Sequence, residues 1–422
     1  MKKPIEFTPI VSPAVVRHNI NHLKNLVFEV TDACNLRCKY CGYAEFYDGY
    51  DERKNTFLSF EKARMLIDHL AALWRKNRYE DIMHPLNIGF YGGEPLMNMK
   101  FIEQITDYVE SLRDIGRTIS YGMTTNAMLL DRYMDFLAKK RVRLLISLDG
   151  DEKGQSYRVD ADGNNSFGRV VRNVRLLQKT YPAYFEENVN FNAVLHNRNE
   201  VDTIYRFIER EFGKKPRIAA LNDSGVKPGK KDEFYKTYKN VRQSFLAASN
   251  CSQMIAEGDL EMPQVEALSR YLFNYSENCF EGYYSLGIEK DRFGPVQTGT
   301  CTPFLLKMFM TVNGKILQCE KINHEFALGQ VYEDHVDLDY RKISGIQNQY
   351  LSRLKRQCTA CSRRERCNYC MYQIDYLGSN PNAPCPFFTT SAENAEEKEH
   401  LDFLRENPHL YKHLIKNVVF TK

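Results

Sequence analysis

The strongest constraint on the fold is a repeated alternation of strand-like and helix-like segments across residues 25–222. The first, 26–31, is short, apolar and β-branched, which is typical of a buried strand, and Ser59 precedes a run of apolar residues at helical spacing. The alternation continues with strands at 86–91, 119–124, 143–148, 188–195 and 216–221 and helices at 100–112, 130–139, 167–180 and 199–212. Such βα units indicate an α/β fold with a parallel sheet. Six units predict a partial (β/α)6 barrel of the TIM type, with its chemistry at the carboxyl ends of the strands.

The alternation stops near residue 222, and the predicted organisation of the chain changes there. We predict an N-terminal lead-in at 1–24, the barrel at 25–222, a helical bridge at 223–299, a cysteine-rich domain at 300–388 and a charged helical tail at 389–422. Within the cysteine-rich domain, Asn313-Gly314 predicts a two-residue hairpin turn, because both residues tolerate positive φ.

Composition limits the compartments and the classes of partner that we expect for this protein. The net charge is +4 and no concentrated basic stripe is present, so we expect no nucleic-acid partner. No run of 18 apolar residues and no apolar signal segment is present, so we expect no membrane span and a cytoplasmic protein. The twelve cysteines would then be reduced thiols, serving as metal ligands or as buried small side chains.

Three cysteines follow the first predicted strand at the spacing C-x3-C-x2-C, namely Cys34, Cys38 and Cys41. Three thiolates on one short loop can hold three irons of a [4Fe–4S] cluster. The next cysteine is Cys251, so the fourth iron would be open to another ligand. The alternatives are a zinc knuckle that lacks one ligand and a chance spacing; structural zinc sites normally have four protein ligands.

This loop, with Tyr40 before its last cysteine, resembles the signature of the radical S-adenosylmethionine (SAM) superfamily, C-x3-C-x-aromatic-C. The resemblance implies that SAM chelates the open iron through its amino and carboxylate groups. It also implies that Tyr40 lies beside the adenine of SAM.

The second strand ends in Gly92-Gly93-Glu94, which resembles the GGE motif of the same family. Two glycines let the backbone approach a ligand closely. A carboxylate beyond them can accept hydrogen bonds from an amino group. The resemblance implies that Glu94 holds the amino group of SAM.

The next strands end in segments similar to the TTNG and SLDG segments of the family, which carry Asn126 and Ser147. Ala127 replaces the usual glycine, a change that is tolerated unless φ is positive there. The resemblance implies that Ser147 bonds the methionyl or ribose part of SAM, whereas Asp149 either contributes to the site or caps the following turn.

Two more positions match SAM contacts of the family. Arg158 matches an arginine that pairs with the SAM carboxylate; the alternative is a surface arginine. Leu195, with Val194, ends the fifth strand and would pack on the adenine or belong to the core.

The C-terminal cysteines form a second array, with spacings C-x12-G-x4-C and then C-x2-C-x5-C-x2-C before a last cysteine. By spacing alone the C-x2-C pairs suit two zinc sites equally well. The array resembles the SPASM domain, although the family spacing before Cys370 is three residues rather than two. The resemblance implies two auxiliary [4Fe–4S] clusters, the first bound by Cys301, Cys319 and Cys370 and the second by Cys358, Cys361, Cys367 and Cys385. Cys279 is the candidate fourth ligand of the first cluster, which could instead leave an iron open.

The combined resemblance implies a radical SAM peptide maturase. Residues 301–321 and 190–199 are similar to maturases of ribosomally made peptides (RiPPs), including those of Bacteroidales that act on Gly-rich precursors. Such an enzyme uses a 5′-deoxyadenosyl radical to abstract hydrogen from the peptide and forms a thioether or carbon–carbon crosslink. One alternative is an anaerobic sulfatase-maturating enzyme, which makes formylglycine; an alternative of another class is a zinc-binding interaction module.

Glu320 follows Cys319 directly, where sulfatase-maturating enzymes carry a proposed catalytic aspartate. It would act as a carboxylate base, or it is a solvated charge. The expected partners are a precursor peptide and an electron donor such as flavodoxin or ferredoxin. With 33 residues before Cys34, leader recognition is expected to use a separate leader-binding protein, the barrel mouth or the bridge.

The cysteine spacings generate a prediction about metal content. Anaerobically reconstituted protein should be brown and hold about twelve irons, four for each of three clusters, with matching acid-labile sulfide. Iron and sulfide assays and the visible spectrum measure this. A colourless protein with two tightly bound zinc ions and no sulfide would establish the interaction module instead.

Overall fold

The fold is taken from a computed structural model that describes residues 11–76, 85–257, 265, 268–269, 272, 299–364, 367, 369–390 and 395–417. Ten strands lie in these parts of the chain. They are β1 Asn25–Thr31, β2 Leu86–Gly92, β3 Ile119–Thr125, β4 Arg143–Ser147, β5 Val189–Leu195, β6 Arg217–Ala220, β7 Met308–Met310, β8 Lys315–Leu317, β9 Gly329–Val331 and β10 Val336–Asp337.

Thirteen α-helices lie in the same described parts. They are α1 Pro13–Asn21, α2 Phe60–Lys76, α3 Met99–Ser111, α4 Leu130–Lys139, α5 Phe167–Thr180, α6 Pro182–Asn188, α7 Val201–Phe212, α8 Lys231–Thr237, α9 Val241–Leu246, α10 Cys251–Glu257, α11 Tyr340–Ala360, α12 Ala395–Glu406 and α13 Pro408–Asn417. None of the described helices is both long and apolar enough to cross a membrane.

All ten strands belong to one sheet, in the order β10-β9-β8-β7-β1-β2-β3-β4-β5-β6. Strands β1 to β6 are parallel. Each is connected to the next by at least one helix: α2, α3, α4, the pair α5 and α6, and α7 in turn. The sheet is open, with β6 and β10 at its edges, as a partial rather than a closed barrel requires. The α/β prediction is therefore confirmed.

The barrel strands and helices lie within about two residues of their predicted positions because each is a short apolar run bounded by polar turns. The predicted hairpin at 313–314 forms, but the turn type was wrong. Thr311 and Lys315 pair through a backbone hydrogen bond of 2.9 Å, which leaves a three-residue loop. Only Gly314 has positive φ, at 85°, as in a turn closed by a left-handed glycine.

The cysteine-rich region does not stand apart from the barrel. Strand β7 pairs in parallel with β1, with Leu26 opposite Met308 and Phe28 opposite Met310. The hairpin β7–β8–β9 therefore extends the barrel sheet beyond β1. The sequence did not predict this pairing, which places the hairpin beside the first cysteine loop.

The ends of β1 and β2 approach each other closely at the two glycines. Gly92 has a φ of 124°, which an L side chain rarely adopts. A Cβ on Gly93 would lie 2.0 Å from the carbonyl oxygen of Ala33, a backbone atom. Because the Gly93 and Glu94 amides donate to the Thr31 and Ala33 carbonyls, this approach fixes the start of the cysteine loop against the end of β2.

The close approach predicts that Gly93→Ala is destabilising. The new methyl group must displace backbone, so the free energy of unfolding should fall by about 2–4 kcal/mol. The midpoint of urea unfolding followed by circular dichroism measures the change. Gly168→Ala is the matched control: that glycine lies in α5 with no heavy atom within 4 Å of the added Cβ, so stability should stay equal or rise by about 1 kcal/mol. An equal response in both variants would contradict the close approach.

Candidate functional site

Three thiols lie together in the loop that leaves the carboxyl end of β1. Cys34, Cys38 and Cys41 are all free and partly buried. Burial raises the pKa of Cys38 to about 12 and that of Cys34 to about 11, and the neighbouring thiol of Cys41 acts in the same direction on both. The metal-free thiols of Cys34 and Cys38 are therefore neutral at pH 7, and metal binding there must displace protons.

Each of the three sulfurs accepts a hydrogen bond from a side chain on another segment. Donors of this kind favour the thiolate over the thiol. The pairs are Asn126 Nδ2 to Cys34 at 3.8 Å, Arg158 Nη1 to Cys38 at 4.0 Å and Arg53 Nη2 to Cys41 at 3.3 Å.

Glu94 is buried at the end of β2, next to this loop. Its carboxylate accepts hydrogen bonds from the Thr125 hydroxyl at 2.7 Å, the Asn126 amide at 2.7 Å and the Leu96 amide at 3.1 Å. Burial raises the pKa of Glu94 to about 7 and outweighs these hydrogen bonds, which lower it. The carboxyl group thus changes its charge close to neutral pH.

Asn126 joins the end of β3 to the cysteine loop. Its Nδ2 donates to Asn35 Oδ1 at 2.7 Å as well as to Cys34. The following residue, Ala127, has a φ of 59°, the left-handed conformation in which the usual glycine would be relaxed. The condition under which the alanine would be tolerated is therefore not met: Ala127 is fully buried in a conformation that costs an L side chain about 1–2 kcal/mol.

A buried ion pair lies on the other side of the loop, between Asp149 after β4 and Arg158. The guanidinium donates to both carboxylate oxygens, from Nε at 2.9 Å and from Nη2 at 3.0 Å. The same carboxylate accepts the Val194 amide at 2.9 Å and the Tyr40 hydroxyl. Burial opposes ionisation of Asp149, but the charge of Arg158 outweighs it, so the pKa of Asp149 lies far below its ordinary value. Asp149 is thus the centre of a network, rather than a simple turn cap, and Arg158 is not a surface residue.

Sequence reasoning missed His196 in this network. Its ring is fully buried, stacks on Tyr40 at a centroid distance of 5.5 Å and lies 3.8 Å from the Asp149 carboxylate. The signal available in the sequence was its position, since it directly follows β5 at the edge of the sheet where the other site residues lie.

The remaining predicted SAM contacts lie at the same edge of the sheet. Ser147 ends β4 and is 9% exposed. Leu195 is fully buried in the main core, whereas Val194 packs in the smaller cluster that contains Tyr40. Contact between Leu195 and the adenine stays a prediction. Because Val194 packs with Tyr40, it is better placed than Leu195 to contact the adenine.

Two partly buried tyrosines lie near both the first cysteine loop and the C-terminal hairpin. Burial raises the pKa of Tyr91, and the charges of Glu320, Cys41 and Cys319 act on it in the same direction. Tyr50 has the same neighbours, and its pKa is raised to about 12, chiefly by burial. Tyr91 and Tyr50 are therefore each close enough to Cys41 and to Cys319 for the charges of both thiols to act on them.

Glu320 is a largely buried carboxylate rather than a solvated one, with 11% of its side chain exposed. Its Oε2 lies 2.7 Å from the Lys307 ammonium and 3.6 Å from the Cys319 sulfur. Burial opposes its ionisation, but the charge and hydrogen bond of Lys307 outweigh burial, so the pKa of Glu320 is lowered. Glu320 is therefore ionised at neutral pH and able to accept a proton.

Four of the C-terminal cysteines line one pocket. These are Cys358, Cys361, Cys367 and Cys385, with Leu354, Met371, Ile374 and Phe387 among the apolar residues around them. Burial raises the pKa of Cys358 to about 12, and the other three thiols act in the same direction. Among the described residues, no three His, Cys, Asp or Glu side chains converge closely enough for one metal ion. A [4Fe–4S] cluster requires its cysteine sulfurs to be farther apart than the ligands of a single ion, since each thiolate binds a different iron.

Cys370 lies apart from that pocket. The Thr300 hydroxyl bonds its sulfur, and Thr300 also accepts the Met371 amide at 2.7 Å, which places Cys370 beside the residue that precedes Cys301. Gln318, which precedes Cys319, donates to the Cys301 carbonyl at 3.4 Å. The predicted grouping of Cys301, Cys319 and Cys370 is compatible with these contacts, and Cys279 lies outside the described residues.

Comparison with protein families gives a match between residues 28–208 and the radical SAM superfamily. This chain contains a radical SAM domain. Enzymes of that superfamily use SAM and a [4Fe–4S] cluster. The matched range covers β1 to α7, including the first cysteine loop and the Asp149 network.

The radical SAM domain has similar proteins among maturation enzymes. It is 26% identical over 193 residues to a cysteine-type anaerobic sulfatase-maturating enzyme of Clostridium novyi, covering 45% of this chain and 48% of that protein. It is 26% identical over 181 residues to the radical SAM cyclopropyl synthase TigE of Paramaledivibacter caminithermalis, covering 41% and 35%. The chain thus spans about half or less of these relatives.

A solved structure is similar over a longer range. The structure of native anSMEcpe with bound AdoMet and Cp18Cys peptide has a TM-score of 0.58 and 16% identity, covering 93% of this chain and 99% of that one. This likeness extends the shared fold through the C-terminal region.

The residues of the radical SAM domain suit the cofactors of the family. Three thiols on one loop each receive a side-chain hydrogen bond, and the buried Glu94 carboxylate and the Asn126 side chain lie next to them. In the C-terminal region, the four-cysteine pocket offers a separate set of ligands. A resident cluster in each place would use donors that the fold already brings together.

The pKa of Glu94 generates a prediction about SAM affinity. If Glu94 accepts hydrogen bonds from the amino group of SAM, protonation weakens them, so the Kd should rise about tenfold per pH unit below pH 7. The total loss should reach about 10- to 100-fold. Anaerobic equilibrium dialysis between pH 5.5 and 8.5 measures this.

Glu94→Gln is the control for the same experiment. The ionisable groups of SAM titrate in the same way in both experiments. The difference between the two profiles of Kd against pH therefore reports the ionisation of Glu94 alone. The variant should bind SAM weakly at pH 8.5 and approach the unsubstituted protein at pH 5.5. Parallel profiles would rule out the assignment of Glu94.

Proposed function

We propose that this chain is a radical SAM enzyme that removes hydrogen from a ribosomally made peptide and closes a crosslink, either a thioether or a carbon–carbon bond. The observation that carries the proposal is the position of Glu320. This ionised carboxylate lies beside Cys319, and its charge acts on Tyr91 together with that of Cys41 of the radical SAM loop. A substrate between the two cysteine sites would meet a base.

The proposed roles combine the family resemblance with the contacts described above. Cys34, Cys38 and Cys41 would each hold one iron and leave the fourth for SAM. Glu94 and Asn126 would hold the amino-acid part of SAM, and Tyr40 with Val194 its adenine. Arg158 is engaged by Asp149 through two hydrogen bonds. Its remaining Nη1 faces the cysteine loop, so any contact with the SAM carboxylate would use that nitrogen.

The chemistry asks two further things of the protein. When bound, SAM and its cluster supply a carbon radical that takes one hydrogen atom from the substrate. A crosslink removes a second hydrogen as a proton and an electron, so a base and an electron acceptor must lie near the substrate. Glu320 can take the proton. The proposed cluster ligands Cys301, Cys319 and Cys370 would place the acceptor directly beside it.

The second candidate is formylglycine formation in a sulfatase. The C. novyi relative is named a sulfatase-maturating enzyme, and the solved neighbour has a peptide bound. Both reactions remove two hydrogens, and a base beside Cys319 suits both. TigE, named as a cyclopropyl synthase, is a relative of comparable identity that forms a ring.

We propose a precursor peptide as the partner, with a flavodoxin or ferredoxin as electron donor and a separate leader-binding protein. The proposed compartment is the cytoplasm. Cys34, Cys38 and Cys41 are free thiols, which suits a reducing compartment.

Mass spectrometry of candidate precursor peptides after anaerobic turnover tests the proposal. A crosslink should appear as a loss of two hydrogens, with fragmentation suppressed between the two joined residues. Turnover of a sulfatase-motif peptide to an aldehyde that hydrazine traps would overturn the crosslink in favour of formylglycine formation.

Two variants serve as controls in that experiment. Replacing Cys34, Cys38 and Cys41 by Ala should abolish reductive SAM cleavage and leave the auxiliary clusters in place. Glu320→Gln should retain SAM cleavage while product formation falls by about 10²-fold or more. Equal loss of both activities in Glu320→Gln, or of neither, would remove Glu320 from the mechanism.

A further inference from the structure

Arg53 lies in a loop that the radical SAM motifs do not include, between the cysteine loop and α2. Its Nη2 donates to the Cys41 sulfur at 3.3 Å, the shortest of the three side-chain hydrogen bonds to this cysteine set. Its charge also acts on Cys34, where it favours the thiolate. Arg53 thus brings a permanent positive charge to two of the three sulfurs.

The position of Arg53 is fixed from several sides. Its guanidinium carbon lies 4.3 Å from the centre of the Tyr43 ring, a cation–π contact. The amides of Lys54 and Thr56 donate to the Asp32 carboxylate at 2.9 and 2.6 Å, which ties the segment to the end of β1. The side chain is therefore held at Cys41 by the fold and does not reach it by chance.

The other end of the same segment is fastened to the C-terminal hairpin. Asp51 accepts hydrogen bonds from Lys315 at 2.6 Å and from Asn313 at 3.1 Å. The Nε of Arg53 is buried and makes no hydrogen bond among the described residues.

We propose that Arg53 acts through Cys41 to make the cluster of the radical SAM loop easier to reduce. One-electron reduction adds negative charge to a cluster and its thiolates. A cation that bonds one of those sulfurs stabilises the reduced form more than the oxidised form. The inference rests on the proposed function, because it takes Cys41 as an iron ligand.

Redox titration of the anaerobic, cluster-loaded protein followed by EPR tests the proposal, using the signal that changes when SAM is added. Arg53→Met removes both charge and donor. Its reduction equilibrium constant should fall about tenfold, a shift of about 59 mV toward negative potential. Arg53→Gln keeps a neutral donor and Arg53→Lys keeps the charge, so both should shift less.

Two comparisons keep the result specific. Signals of the auxiliary clusters in the same samples should not move. Arg37→Gln is the matched control. Arg37 lies on the cysteine loop but donates to the Cys34 and Leu36 carbonyls rather than to a sulfur. The reduction potential of the cluster in this variant should therefore equal that of the unsubstituted protein.

The possible outcomes distinguish failure of the inference about Arg53 from failure of the proposed function. An unchanged potential in Arg53→Met, with the SAM-responsive signal present, would overturn the role of Arg53 alone. Absence of any SAM-responsive signal in the unsubstituted protein would overturn the proposed function. If Arg53→Met fails to assemble the cluster, the same titration is carried out on Arg53→Gln and Arg53→Lys. An unshifted reduction potential in both variants would refute the proposal.

Discussion

The double pairing of β1 is the interaction on which the rest of the structure depends. This strand hydrogen-bonds to β2 on one side and to β7 on the other, and both neighbours are parallel to it. Its carboxyl end therefore places the first cysteine loop between the barrel and the C-terminal hairpin. Glu29 of the same strand strengthens the junction, since its buried carboxylate accepts the Tyr43 hydroxyl and, at 2.9 Å, the Val312 amide.

The buried pair of Asp149 and Arg158 plays the corresponding part on the far side of the loop. Two charges removed from water are costly unless every polar atom is satisfied. Here the carboxylate also receives the Val194 amide and the Tyr40 hydroxyl, so the pair ties three segments of the barrel edge together. Removing either partner would leave the other charge buried and would loosen the aromatic ring of Tyr40 along with it.

Much of the barrel could be predicted because its information is local. Each strand is an apolar run between turns, and each site motif directly follows one. The pairing of β7 with β1 could not be predicted, since β7 has three residues and its partner lies about 280 residues earlier in the chain. The contacts of Arg53 with Cys41 and of His196 with Tyr40 likewise depend on where distant loops meet. Whether Ala127 is left-handed stayed open at the level of the sequence, because alanine itself gives no local signal for that conformation.

The parallel seam between β1 and β7 also has a consequence for synthesis on the ribosome. Until the hairpin emerges, β1 presents an unpaired edge of apolar residues, the kind of edge that recruits other strands. About 280 residues separate β7 from β1, so at elongation rates of about 5–20 residues per second that edge stays unpaired for roughly 15 to 55 seconds. During that interval the nascent barrel exposes the kind of strand edge from which aggregation can start, and pairing with β7 removes it.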